Sequence, residues 1–111
     1  MYCNPKRVRK ITIVGGGVIG ASWSALLLSL GYSVSISEPS SNQRKKLKNL
    51  IAQATRSIKL LDLPKPTIKP ELSIHHNIKD ALYNTDFVQE CAPDKKDIKE
   101  KIFLQLDSLL D

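Results

Sequence analysis

The chain has 111 residues and a formal net charge of +6, from 17 basic and 11 acidic side chains. This length leaves room for one small domain. The charge favours anionic partners. The sequence has no apolar run long enough to cross a membrane, and Cys3 and Cys91 lack metal-ligand spacing. We therefore expect free thiols, no bound metal, no membrane association and a cytoplasmic location.

The pattern of apolar residues predicts strands and helices that alternate along the chain. Residues 1–9 are expected to form a basic leader, and residues 10–111 one α/β domain with a parallel sheet. Gly31 is expected to end the first helix, and Ser40 or Ser41 to cap the second. The expected elements, in order, are strand Lys10–Val14, helix Val18–Leu30, strand Ser33–Ser37, helix Asn42–Leu61, strand Leu72–His75, helix Ile78–Tyr83, strand Phe87–Glu90 and helix Asp94–Leu110.

A glycine-rich turn joins the first strand to the first helix. Gly15, Gly17 and Gly20 form a G-x-G-x-x-G pattern, and Glu38 follows the second strand. A strand before this pattern, a helix after it and an acid after the next strand are typical of a dinucleotide-binding site. The expected fold is a Rossmann-type doubly wound parallel sheet, truncated to its first half plus a fourth strand and helix, without the later strands or a C-terminal helical domain.

Each residue of this pattern has its own expected role. Gly15 allows a positive φ on leaving the strand, Gly17 lets the backbone approach a pyrophosphate, and Gly20 lets the helix pack against the strand. The helix N-terminus is expected to hold the pyrophosphate. Glu38 is expected to bind the adenosine ribose and to repel a 2′-phosphate, which favours NAD over NADP. The alternative is that the glycines only form a tight turn.

Other interpretations of the same pattern stay open. Arg44 could bind a 2′-phosphate, but it lies inside the predicted second helix and is interpreted as solvated. An acid after the second strand is also common in FAD enzymes, so an FAD-binding oxidoreductase fragment is one alternative. A non-catalytic dinucleotide-binding module is another. Nucleic-acid binding through the basic second helix is not expected, because no aromatic residues are interleaved with its basic residues.

Two blocks of sequence together resemble the 3-hydroxyacyl-CoA dehydrogenase superfamily. The first is Ile13–Glu38, and the second runs from Phe87-Val88-Gln89-Glu90-Cys91-Ala92-Pro93-Asp94 through Lys99–Phe103 to Leu106–Asp107. The Gln-Glu-Cys-Ala-Pro form is closest to the branch that contains lambda-crystallin (L-gulonate 3-dehydrogenase) and L-carnitine dehydrogenase. The resemblance covers most of the chain. It implies NAD-dependent oxidation of the 3-hydroxyl group of a 3-hydroxyacyl-CoA or of a small 3-hydroxy acid to the ketone.

The resemblance also implies which residues bind the cofactor. Val18 and Ile19 are expected at the pyrophosphate, Glu90 on the nicotinamide-ribose side, and Lys95 as a further contact. A helix-capping or solvated role for Glu90 is the alternative. The complete set of expected cofactor-binding residues is Gly15, Gly17, Val18, Ile19, Gly20, Glu38, Glu90 and Lys95.

The family's catalytic residues have no counterpart in this sequence. The family places its histidine in a Gly-His-Pro-type motif on a later strand, whereas His75 and His76 lie at the predicted third strand. We therefore expect no catalytic residue here, a fragment that is inactive alone, and an open fourth-strand edge that a complementary chain or a homodimer could cover. In the CoA-ester branch of the family, a serine and a lysine on the long helix contact CoA. An ungapped carry-over from Glu38 places them near Ala54 and Leu61, which favours a small hydroxy acid over an acyl-CoA substrate.

Overall fold

The computed structural model describes residues 8–92 and 96–110, apart from the side chains of Lys96 and Asp97. All four predicted strands are confirmed with their predicted bounds. The described elements are β1 (Lys10–Val14), α1 (Val18–Ser29), β2 (Ser33–Ser37), α2 (Ser41–Ile58), a 3₁₀ turn (Lys59–Leu61), β3 (Leu72–His75), α3 (Ile78–Ala81), β4 (Phe87–Glu90) and α4 (Lys96–Leu109).

The strands form one parallel sheet in the order β3-β2-β1-β4. This is the order of the first four strands in a doubly wound dinucleotide-binding sheet. The expected Rossmann-type class is therefore confirmed. Because all four strands are parallel, the carboxyl ends of β1, β2, β3 and β4 lie along the same side of the sheet. Folds of this class bind their ligands at the carboxyl ends of the strands.

The end of α1 is set by a glycine. Leu30 is the C-cap residue, and Gly31 follows it with a φ of +98°. The Gly31 N–H donates to the Leu28 carbonyl and the Tyr32 N–H to the Leu27 carbonyl, which is a Schellman motif. Gly31 thus ends the helix as expected, one position after the cap itself.

The second helix begins and ends differently from the prediction. It starts at Ser41, because the Ser40 hydroxyl accepts a hydrogen bond from the Gln43 N–H and caps the helix. Its α-helical part ends at Ile58, and the predicted last turn is the tighter 3₁₀ segment Lys59–Leu61.

The two later helices also differ from their predicted bounds. The third helix ends at Ala81 rather than at Tyr83. The chain turns away immediately afterwards, where Asn84 has a φ of +57°. The predicted start of the last helix at Asp94 lies outside the described residues, as does most of the basic leader.

The two faces of the sheet are covered by different helices. The larger apolar cluster joins β1 and β2 to α1 and α2, and its buried members are Ile11, Ile13, Ala21, Ala25, Val34, Ile36, Leu47 and Ile51. On the opposite face, Val14 packs with Ile78 and Leu106, which joins β1 to α3 and α4. This packing fixes the N-terminus of α1 and the start of α3 beside the strand ends.

Candidate dinucleotide-binding site

The turn after β1 needs glycine at Gly15 for two reasons. Its φ is +111°, a backbone conformation that residues with a Cβ atom rarely adopt. A Cβ there would also lie 2.7 Å from the Ala92 nitrogen and from the Cys91 carbonyl carbon. The Gly15 N–H donates to the Ser37 carbonyl oxygen at 2.9 Å. The turn is therefore locked between the ends of β2 and β4.

The other two glycines of the pattern have contrasting surroundings. A Cβ at Gly20 would lie 2.1 Å from the Gly15 carbonyl oxygen, so the expected close packing of helix and strand is present. A Cβ at Gly17 would meet no atom within 4 Å. Gly17 is the N-cap of α1 and has no side chain to bond the free N–H groups there. These groups are open to a ligand.

The first turn of α1 carries Val18 and Ile19, and both side chains are exposed. No acidic residue lies in this turn. The positive end of the helix dipole is therefore not neutralised by an acid in the turn, which suits an anionic ligand. The contacts of Val18 and Ile19 with a pyrophosphate remain a prediction.

Glu38 lies at the end of β2, and its carboxylate is held in place by the backbone. Oε1 accepts from the Gly16 N–H at 2.9 Å, and Oε2 accepts from the Ser40 N–H at 2.8 Å. Gln43 closes the same corner, since its Nε2 donates to the Gly16 carbonyl at 2.8 Å. The carboxylate is thus oriented before any ligand arrives.

Sequence reasoning missed Gly16, although it lies inside the pattern. A Cβ at Gly16 would lie 2.9 Å from both Cβ and Cγ of Glu38. The pattern leaves the position between its first two glycines free, so only the three-dimensional contact reveals this requirement. A side chain at position 16 would therefore displace the Glu38 side chain.

The interpretation of Arg44 as a solvated side chain is wrong. Its Nη1 donates to the Glu38 carbonyl at 2.8 Å and to the Pro39 carbonyl at 3.0 Å. The guanidinium therefore fastens α2 to the end of β2, because α2 begins so close to that strand.

The interpretation of Glu90 as a solvated acid is also wrong. Its side chain is only 14% exposed and forms an ion pair with Lys99, whose Nζ lies 2.9 Å from Oε2. Oε1 accepts from the Ala92 N–H at 2.6 Å. Beside it, burial raises the pKa of the Cys91 thiol, and the Glu90 charge adds to this. The pair ties β4 to α4, and a contact of Glu90 with a cofactor remains a prediction.

Lys99 is a second residue that sequence reasoning missed, because its pairing across the β4–α4 turn is not visible in the pattern. It brings a cation to the end of β4. Lys95, which was expected to contact the cofactor, lies outside the described residues.

A cleft of about 380 Å³ opens where the strand ends meet α4. Glu38 lines it, whereas Glu90 is not part of its described lining. The wall on the α4 side combines apolar and polar side chains, Ile98, Lys101, Ile102 and Gln105, and the opposite wall includes Val14, Gly15, Ser37, Pro39, His76, Asn77, Ile78 and Ala92. The cleft thus extends from Glu38 across the glycine turn to α4.

The side chains of the two adjacent histidines have different hydrogen-bond partners. The His75 ring nitrogen Nε2 is hydrogen bonded to the Ser73 hydroxyl at 3.0 Å, while His76 lies at the cleft and contacts the Asn77 amide at 3.2 Å. In the described ranges, no group of three or more metal-ligating side chains comes together. No helix among the same residues is long and apolar enough to span a bilayer.

Comparisons with known proteins agree with this geometry. Residues 10–111 match the family model described as "3-hydroxyacyl-CoA dehydrogenase, NAD binding domain". The chain is 35% identical to the L-carnitine dehydrogenase of Streptomyces griseus over 106 residues, which is 96% of this chain and 32% of that protein. It is 34% identical to the lambda-crystallin homolog of Homo sapiens over 110 residues, or 91% of this chain and 33% of that protein.

Solved structures show the same fold. An NAD⁺-dependent dismutase, 5-formyl-3-hydroxy-2-methylpyridine 4-carboxylic acid 5-dehydrogenase, superposes with a TM-score of 0.84 at 23% identity over 94% of this chain and 34% of that one. The 3-hydroxybutyryl-CoA dehydrogenase of Escherichia coli gives a TM-score of 0.72 at 23% identity over 93% of this chain and 22% of that one. The chain spans 20% to 33% of the length of the curated relatives it matches.

Proposed function

Because the chain belongs to the NAD-binding domain family of the 3-hydroxyacyl-CoA dehydrogenases, we propose that it holds the coenzyme in an NAD-dependent dehydrogenase whose substrate is a small 3-hydroxy acid. The observation that carries this proposal is the fixed Glu38 carboxylate. It lines a cleft, contacts the glycine turn that leads into α1, and is oriented by two backbone N–H groups.

The residues present fit NAD. The empty space at Gly17 and the free N–H groups of the first turn of α1 can accept the pyrophosphate. Glu38 can accept hydrogen bonds from the adenosine ribose, because each carboxylate oxygen has more than one acceptor position. When bound, NAD supplies the hydride acceptor for alcohol oxidation. The chain's own task is to orient the dinucleotide.

The fixed Glu38 carboxylate supports NAD over NADP. A 2′-phosphate on the adenosine ribose would be placed against the Glu38 carboxylate, and like charges repel. Arg44 is a neighbouring cation whose Nη1 donates to two backbone carbonyls, and because it keeps its charge there it can reduce this preference without reversing it. NADP is therefore expected to bind more weakly than NAD.

The long helix supports a small substrate rather than an acyl-CoA. At the two positions that correspond to CoA-binding residues, Ala54 packs against the core and Leu61 is exposed. Neither side chain can donate a hydrogen bond to a phosphate. L-carnitine, the substrate named for several relatives, is a small 3-hydroxy acid that needs no such contact, and we propose this substrate class for the chain.

Turnover is proposed to need residues from outside this chain. A dehydrogenase needs a base within reach of the alcohol proton. Of the two histidines, His75 is bonded to Ser73, and His76 lines the same cleft as Glu38, which the proposal assigns to the adenosine ribose. The 111-residue chain is expected to show no oxidation of L-carnitine with NAD, measured by absorbance of the reduced coenzyme.

Binding of NAD and NADP by isothermal titration calorimetry tests the proposal. The wild-type chain is expected to bind NAD at least about tenfold more tightly than NADP. Glu38→Gln removes the charge but keeps the shape, so it should weaken NAD binding by about tenfold and reduce the preference. Glu71→Gln is the matched control, because Glu71 precedes β3 at the opposite end of the sheet.

Absence of NAD binding by the wild-type chain would contradict the proposal. So would equal effects of Glu38→Gln and Glu71→Gln. Circular dichroism of both variants at the binding temperature separates a loss of affinity from a loss of fold.

A further inference from the structure

The glycine turn contains two consecutive peptide groups, and each is held by a side chain from outside the turn. The Gly16 N–H donates to Oε1 of Glu38 at 2.9 Å, and the Gly16 carbonyl accepts from Nε2 of Gln43 at 2.8 Å. The first bond fixes the peptide group between Gly15 and Gly16. The second bond fixes the peptide group between Gly16 and Gly17, and its donor lies in the first turn of α2.

The second peptide group joins two residues that have no Cβ atom. A peptide group turns over by opposite rotations about ψ of the residue before it and φ of the residue after it, and side chains on those two residues hinder the rotations. Glycine is required at position 16 because a Cβ there would lie 2.9 Å from the Glu38 side chain. This requirement leaves the Gly16–Gly17 peptide group free to rotate unless another group holds it.

The bond from Gln43 sets the direction of the Gly17 N–H. The described residues have no cis peptide bond, and in a trans peptide group the C=O and the N–H point in opposite directions. Since the Gly16 carbonyl points towards α2, the Gly17 N–H points away from α2. Within the described ranges this N–H bonds to no other residue. It belongs to the N-terminus of α1, to which the proposed function assigns the pyrophosphate.

The Gln43 side chain is not needed by its own helix. Ser40 is the N-cap of α2, and a glutamine three residues after the N-cap commonly bonds back to the N-cap N–H. Here the Ser40 N–H donates to Oε2 of Glu38 at 2.8 Å instead. The Ser40 hydroxyl accepts from the Gln43 N–H at 3.2 Å, so the helix is capped without the Gln43 amide. That amide is therefore available to the glycine turn.

Loss of this amide would leave the Gly16 carbonyl without its partner. Gly16 is buried, and Gln43 is half-buried beside it. A carbonyl oxygen can only accept hydrogen bonds, and a buried acceptor without a donor is unfavourable. The present orientation of the Gly16–Gly17 peptide group would then lose its advantage over the reversed one, in which the Gly17 N–H points towards α2.

We propose that Gln43 is a positioning residue for the coenzyme: by holding the Gly16 carbonyl, it keeps the Gly17 N–H directed at the pyrophosphate. The inference rests on the proposed function, because it needs a dinucleotide at this turn. It adds a residue of α2 that lies outside the glycine pattern. Glu38 is assigned to the ribose, whereas Gln43 acts only through the turn, so the two residues affect different parts of the ligand.

Two variants of Gln43 remove the donor, and a second glutamine of α2 supplies the control. Gln43→Met keeps the length of the side chain, and Gln43→Glu places an acid in the first turn of α2, where it suits the helix dipole. Neither side chain can donate to the Gly16 carbonyl at neutral pH. Gln53→Met is the matched control, because Gln53 is exposed on the same helix.

Binding of three ligands separates positioning from a general change of the site. Gln43→Met should weaken NAD and ADP-ribose by about tenfold, measured by isothermal titration calorimetry, because a hydrogen bond to the pyrophosphate is lost. Adenosine, which has no phosphate, should change by less than about twofold, measured by nuclear magnetic resonance titration. Glu38→Gln should weaken all three ligands, since each contains the ribose. Unchanged adenosine binding also shows that a variant is folded.

A measurement without ligand tests the turn itself. Relaxation dispersion of the backbone amide nitrogens detects exchange on the microsecond-to-millisecond timescale. We expect exchange at Gly17 in Gln43→Met and in Gln43→Glu, and none there in wild type or in Gln53→Met. The Glu variant keeps this test decisive if the Met variant does not fold.

Failure of the inference and failure of the proposed function give different results. If wild type binds NAD and ADP-ribose but Gln43→Met binds them as tightly as Gln53→Met does, the positioning role is wrong and the proposed function stands. An equal loss for ADP-ribose and adenosine, or a Gly17 amide without exchange in both Gln43 variants, would also overturn the positioning role. If wild type binds neither NAD nor ADP-ribose, the proposed function fails and the inference fails with it.

Discussion

Strands β1 and β2 present different kinds of side chain on the two faces of the sheet. Towards α1 and α2, they present the apolar residues Ile11, Ile13, Val34 and Ile36, which are all buried. Towards α3, they present Thr12 and Ser35, whose side chains are fully buried. The Thr12 hydroxyl lies 2.8 Å from the Ser35 hydroxyl and 2.9 Å from the Ala81 carbonyl oxygen.

This contrast shows how the one-turn helix α3 is positioned. Helix α3 spans only Ile78–Ala81 and cannot bury much apolar area. Hydrogen bonds are directional, so the Thr12 and Ser35 hydroxyls fix the carbonyl at its end. This also fixes the turn before α3, where His76 and Asn77 line the cleft. The face towards α1 and α2 supplies most of the apolar burial, and hydrogen bonds on the face towards α3 fix the position of that helix.

The largest effect is expected on the apolar face. Leu47→Ala removes a fully buried side chain from the cluster between α2 and the sheet, and it should cost about 3 kcal/mol of unfolding free energy. Leu60→Ala, at an exposed position outside that cluster, should change stability by less than about 0.5 kcal/mol. Urea unfolding measures both, and similar costs for the two would refute the assignment of the core to this face.

A smaller but coupled effect is expected on the hydroxyl face. Thr12→Val and Ser35→Ala should each cost about 1 kcal/mol, because the Ala81 carbonyl keeps one donor in either variant. The double variant removes both donors, so its cost should exceed the sum by about 1 kcal/mol. A double-mutant cycle from urea unfolding measures this term. Strict additivity would show that the hydroxyls do not act together.

The smallest effect on stability is expected at Asp86, just before β4, whose carboxylate is hydrogen bonded to the start of β1. Hydrogen bonds from the Arg9 and Lys10 backbone N–H groups lower the pKa of Asp86 below its ordinary value of 3.8. The bound form is the charged one, so its contribution is present above that value and is lost as the pH falls through the lowered pKa.

Asp86→Asn should therefore cost under about 1 kcal/mol at neutral pH, and the gap to wild type should close as the pH falls below the ordinary value. Urea unfolding across this pH range measures the gap. Asp107→Asn, at an exposed position on α4, serves as the control and should be neutral throughout. If the difference in unfolding free energy between wild type and Asp86→Asn widened towards acid pH, the predicted direction of the pH dependence would be wrong.

Much of the fold was predictable from the sequence because the signals are local. Short apolar runs set the bounds of all four strands, and Gly31 and Ser40 act within their own turns. The helix ends were less accurate, since the change to a 3₁₀ turn at Lys59 depends on small differences in backbone geometry.

The candidate site was predictable only in part. The pattern locates Gly15, Gly20 and Glu38, and their geometry has the close contacts that such a turn requires. It did not reveal Gly16, because that requirement comes from a contact with Glu38 across the loop. It also missed Lys99, because a surface lysine in a helical pattern gives no sign of its partner.

The order of elements, the parallel sheet and the glycine turn follow from the amino-acid sequence, because they depend on the periodicity of apolar residues and on the backbone freedom of glycine. The hydrogen-bond partners of the charged side chains are set by the folded chain: Glu90 pairs with Lys99, Arg44 with backbone carbonyls, and Glu38 with backbone N–H groups. The physical reason is distance: polar contacts act over about 3 Å and join residues far apart in the chain, so a pattern of neighbours does not contain them.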